Sequence, residues 1–220
     1  MLVSELQSLL SRIYGIEINA NVADYIVTDK SFLKQLLGDS AETVKETLLI
    51  VEEEDFVDLA LYLDQAILDR LSAENPCDGL SHSNLDDFCK VLEGISHFVY
   101  VAWNAGKDKC ITRLELEMQA EVDKYISSRF LLESRQLHNT SMLAALFEHI
   151  SYDSRLQPDA LERYRRANDV ARRYCHTLEQ RFPVTEPGRE SEMAMLYELR
   201  AFYRMPQPEK LSHINTTQFA

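Results

Sequence analysis

Apolar residues recur at three- and four-residue intervals along most of the chain, the spacing of helices that bury one face. Over 4–14 the stripe is Leu6, Leu9, Leu10 and Ile13, with Ser4 and Gln7 reading as a capping box and Gly15 as the stop. A second helix is predicted over 22–37, with Val22, Tyr25, Ile26, Phe32, Leu33, Leu36 and Leu37 inward and Gly38 ending it. Residues 46–62 change period. The run ETLLIV is apolar and β-leaning, Glu52, Glu53, Glu54 and Asp55 interrupt it, and Val57, Leu59 and Leu61 then alternate with Asp58, Ala60 and Tyr62. Four adjacent acids suit a turn better than a helix face, so a β-hairpin is the favoured reading. One long helix is the alternative.

The clearest unit spans 84–129. A helix over 84–104 carries Leu85, Phe88, Cys89, Leu92, Val99 and Trp103 on one face. After the connection AGKDK, Thr112 and Glu115 read as a capping box for a second helix with Leu114, Met118, Val122 and Ile126 inward. Helices joined this closely are expected to be antiparallel neighbours. Further helices are predicted over 141–150, 158–182 and 190–203, with Pro158 and Pro183 bounding the long one. The expected fold is mainly α, a bundle of six to eight helices with one short β-hairpin near 46–62. A single helical domain is expected over 1–205, its acidic first third (1–75) packed on a bundle over 80–205. The weakly patterned tail, 206–220, is expected to be mobile.

Charge narrows the function classes. The 220-residue chain has a formal net charge of −13. Residues 1–75 hold five Lys/Arg against fifteen Asp/Glu. Such a field repels nucleic-acid phosphates and anionic lipid, so neither nucleic acid nor membrane is an expected partner. It suits a protein partner with a cationic surface, or self-association. The start, MLVSELQSLL, lacks the basic and apolar pattern of a signal peptide, and the four cysteines form no CxxC pair or disulfide framework. The expected setting is a soluble protein in the reducing cytoplasm.

Known catalytic signatures are absent: no GxSxG, phosphate-cradling glycine loop, HExxH or Walker lysine. Whether the chain is an enzyme stays open on this evidence. One constellation has matched spacing. Glu93 and His97 are four apart on the first helix of the 84–129 hairpin, and Glu117 and Glu121 are four apart on the second. The pairs 93/121 and 97/117 have the same index sum, as residues at equal height in an antiparallel hairpin do. Three carboxylates and an imidazole suit a divalent metal, or an acid–base pair with mutually raised pKa values. Bundle metal sites use Glu-x-x-His, whereas this chain has Glu-x-x-x-His, and the same residues also read as a solvated polar stripe with ordinary surface pairs.

The helix over 158–182 is the one strongly cationic element. Arg163, Arg166 and Arg173 are its candidate anion-binding or interface residues, since guanidinium forks suit phosphate or carboxylate. Contact with the acidic first third, within the chain or across a dimer, is the alternative to a phosphorylated ligand. Trp103, near Phe98 and Tyr100, is the pocket candidate; aromatics at that spacing also read as core. Three functions follow: an interaction or regulatory domain, a metal-binding or metal-dependent protein centred on the Glu/His set, and a module for a small ligand.

Overall fold

The computed structural model describes residues 1–52, 57–105, 107, 109–133, 142–148, 152, 155–183 and 188–217. The proposed acidic turn at 53–55 lies outside the described residues. The fold is mainly α. Among the described residues there are nine α-helices and a three-stranded sheet: α1 (Leu2–Tyr14), β1 (Ile26–Val27), α2 (Lys30–Leu37), β2 (Glu46–Glu52), β3 (Val57–Leu63), α3 (Gln65–Ala73), α4 (Leu85–Ala105), α5 (Arg113–Glu133), α6 (Met142–Phe147), α7 (Pro158–Arg181), α8 (Arg189–Arg204) and α9 (Gln207–Thr217). The chain divides into two compact units, Met1–Ser11 with Ile16–Lys109, and Arg12–Gly15 with Cys110–Ala220. No helix among the described residues is long and apolar enough to cross a membrane.

In the first unit, β2 and β3 pair antiparallel with Leu48 opposite Leu61, the expected hairpin, and β1 pairs parallel with β3. The predicted helix over 22–37 breaks into a 3-10 turn at Val22–Tyr25, strand β1, and α2. Its first half is rich in β-branched residues, and the Asp29 carboxylate accepts from Ser31 N at 2.8 Å, capping a new helix start. The Ser4–Gln7 capping box does not form either. Ser4 lies inside α1, while Gln7 Nε2 donates to Ala20 O at 2.8 Å and its Oε1 accepts from Val22 N at 2.7 Å. The segment after Gly15 is thereby pinned to α1. One sheet face meets α2 through Leu33 and Tyr62. The other meets α4 at Gly94, where an added Cβ would lie 2.7 Å from Leu61 Cδ1.

In the second unit α5 is central, packed by α6 and α7, and α9 packs on α7. Thr112 Oγ1 caps α5 by accepting from Glu115 N at 3.0 Å. Tyr174 stacks on Phe202 and Tyr14 on Tyr203, each with ring centroids 3.9 Å apart. The segment after Pro206 folds as α9 and buries Lys210 and Ile214.

Candidate functional site

The polar residues of α5 are the chemical centre of the second unit. Glu115, Gln119 and Asp123 recur every four residues, so they share one helix face. That face is inside: the three are 1%, 0% and 1% exposed. The Tyr14 hydroxyl donates to Asp123 Oδ1, which also accepts from Gln119 Nε2 at 2.8 Å. Gln119 Oε1 in turn accepts from Lys210 Nζ at 2.7 Å. Lys210 is fully buried, its ammonium 5.1 Å from the ring centroid of Phe202 and 5.8 Å from that of Tyr203. The result is a continuous chain, Lys210 to Gln119 to Asp123 and Tyr14, with a cation at one end and a carboxylate near the other. Buried ionic groups are tolerated when they are hydrogen-bonded in this way.

Electrostatics follow burial. Burial first, and Asp123 second, push the Tyr14 phenol well above its ordinary range. Burial does the same to Tyr174, with the Glu198 carboxylate adding to it. Cys175 is raised by burial and then by Glu121, so its thiol stays protonated and unreactive at neutral pH. All four cysteines are free thiols. Because its members are sealed from solvent, this network orders the helices rather than meeting a substrate.

The Glu/His set is distributed over both units. Glu93 and His97 lie one turn apart on α4, and Glu117 and Glu121 one turn apart on α5. None is a solvated surface residue. All four are half-buried, and His97 Nε2 is shielded from solvent. The Glu117 and Glu121 side chains retain only 11% and 17% exposure. The expected surface pairing is replaced by a contact of 3.7 Å from Glu117 to Arg163 of α7 and one of 2.8 Å from Glu121 to Lys124. The reason is that α5 is enclosed by its neighbours, so its polar positions have no outer face to occupy.

The three arginines do not form one cluster. Arg163 is half-buried against Glu117. Arg173 is held by Asn215 at 3.0 Å and Asp169 at 3.4 Å. Arg166 is exposed, beside exposed Arg165 and Arg172. Two of the candidates are thus spent on partners within their own unit. Trp103 is half-buried and lines a cleft of about 360 Å³ in the first unit, formed by Glu17, Ile18, Asn19, Ala20 and the end of α4. Lys107 Nζ lies 2.8 Å from the indole centroid.

Sequence reasoning missed Tyr14, Gln119, Asp123 and Lys210. The one usable signal was the four-residue recurrence of Glu115, Gln119 and Asp123 beside the apolar stripe of α5, too wide a polar set for a helix with a simple exposed face. No known protein family, curated protein or solved structure matches the chain.

Proposed function

We propose that the chain is a protein-interaction domain that self-associates, the arginines of α7 meeting acidic residues of a second copy. The observation that carries the reading is the exposure of Arg165 and Arg166 on α7 in a chain of net charge −13. Guanidinium forks suit carboxylates, and an acidic chain supplies many of them.

Opposite patches steer association and make it salt-sensitive. Light-scattering mass at low and high salt tests self-association: a mass above that of the monomer, collapsing with salt, supports it, and a monomer throughout rejects it.

A further inference from the structure

We propose that the Trp103 cleft binds a small zwitterion of the free α-amino-acid type with an apolar side chain. The cleft, about 360 Å³, lies within the first unit. Its size falls in the range of small-molecule sites. Its lining has three chemically distinct parts. Trp103, Ala102, Ile18 and Ala20, all half-buried, make an apolar floor. Glu17 supplies a carboxylate at the exposed lip, with the Asn19 amide beside it. Lys107, also exposed, supplies an ammonium.

A ligand with one charge satisfies one lip and leaves the other opposed or unused. A zwitterion satisfies both, with its carboxylate toward Lys107 and its ammonium toward Glu17. Lys107 Nζ rests over the indole, 2.8 Å from its centroid. That face is therefore attractive to a cation, and an exposed lysine stem can swing to follow a carboxylate. The opposite wall is pre-set, because Gln7 holds Ala20 O and Val22 N at 2.8 and 2.7 Å. Little ordering cost remains for binding there. None of these groups lies on α7, so this proposal and self-association stand or fall separately.

Trp103 is the only tryptophan, so selective indole excitation reports from inside the cleft. The experiment titrates the whole protein with L-phenylalanine and L-leucine, reading indole emission and calorimetric heat together. Phenethylamine lacks the carboxylate and 3-phenylpropionate lacks the ammonium; they serve as single-charge comparators. The expected result is saturable binding of both amino acids, weakened about tenfold or more for either comparator, since a charge-assisted contact is lost each time. Lys107→Met and Glu17→Gln, both at exposed positions, are expected to weaken amino-acid binding by a similar factor while leaving circular dichroism unchanged. Binding seen by heat alone supports the proposal if the variants abolish it. No saturable signal by either method, comparators that bind as well as the amino acids, or variants that bind like the wild type would overturn it.

Discussion

Tyr14, at the end of α1, donates its hydroxyl to Asp123 in the middle of α5, and both are sealed from solvent. The carboxylate depends on this bond and on Gln119 for compensation. Tyr14→Phe removes one donor without altering packing volume. The expected cost is about 1–3 kcal/mol, that of an under-satisfied buried acceptor. Urea unfolding measures it, with the midpoint falling and the slope unchanged. A midpoint equal to that of the wild type would show that Asp123 draws its compensation from elsewhere.

The second unit should be sensitive to alkali. Tyr14, Tyr125 and Tyr174 hold phenols raised above their ordinary 10.0, and Cys175 a thiol raised above 9.0, in each case chiefly by burial. In the unfolded chain these groups lose their protons at ordinary values, while the folded chain keeps them. Stability is therefore full below about pH 9 and falls as pH rises through 9 and 10, since the unfolded state then binds fewer protons. Each group contributes a slope of up to about 1.4 kcal/mol per pH unit. Melting temperature across pH 8 to about 11 checks this. Tyr174→Phe should flatten the limb.

How much of this was legible in the chain depended on how each helix is buried. The stripe of α7 was readable because that helix pairs a buried face with an exposed one, whereas α4 was readable only in part: Val91, Ile95, Phe98, Tyr100 and Asn104 are buried besides the predicted Phe88, Leu92 and Val99. The hairpin was readable from the period change and the four acids. Helix α5 was only half readable: Met118, Val122 and Ile126 are buried as expected, but so are Glu115, Gln119 and Asp123. No pattern rule places a polar residue inside without knowing its partner, and here the partners are Tyr14 and Lys210, far away in the chain. Lys210 lies in α9, whose single buried aliphatic, Ile214, gives almost no periodic signal. The spacing of Glu93, His97, Glu117 and Glu121 was legible; their withdrawal from water was not, because spacing does not fix helix rotation. Strand β1 was missed because two residues are too few to show a period.

Glycine substitution separates backbone strain from collision. Gly15 has φ +57°, and an added Cβ would lie 3.0 Å from Arg200 Nε. Arg200 cannot readily yield. It donates to Ile13 O and Arg12 O at 3.1 Å each, while Arg204 reaches Tyr14 O and Gly15 O, so the two arginines satisfy the carbonyl end of α1. Gly38 has φ +61° with nothing within 4 Å. Gly38→Ala is expected to cost about 1–3 kcal/mol from backbone strain alone, because φ +61° with ψ −140° lies outside the left-handed helical well. Gly15→Ala should add about 1–2 kcal/mol to its own strain, through displaced arginine contacts. A Gly15→Ala cost in thermal unfolding no larger than about 1 kcal/mol would mean that Arg200 adapts freely.

Acid sensitivity in the first unit centres on Asp64. Its carboxylate accepts from Lys45 Nζ at 2.8 Å and from Ala66 N at 3.0 Å, capping α3. The Lys45 hydrogen bond is the largest cause holding its pKa below the ordinary 3.8, against an opposing effect of burial. This contribution is present above the unfolded value and lost as pH falls through the lower folded one. Asp64→Ala should cost about 1 kcal/mol at neutral pH by loss of the cap. It should also reduce the fall in stability below about pH 4, and an acid limb unchanged in the variant would locate the titration at other carboxylates.

The last eleven-residue helix should be an integral part of the second unit. Truncation after Met205 removes Lys210 Nζ from Gln119 Oε1 and the side chain of Ile214 from the core. Losing the buried Ile214 side chain alone is expected to cost about 2–5 kcal/mol. Lys210→Met isolates the polar part. It keeps the stem between Phe202 and Tyr203 but leaves the Gln119 acceptor without its donor, at about 1–3 kcal/mol. Urea unfolding of the wild type, Lys210→Met and the truncated chain ranks the two contributions, with the truncation expected to be the most damaging. If Lys210→Met were more stable than the wild type, desolvation of the ammonium would outweigh its hydrogen bond and its contacts with the two rings. Gln119 would then hold Asp123 in place without help from α9.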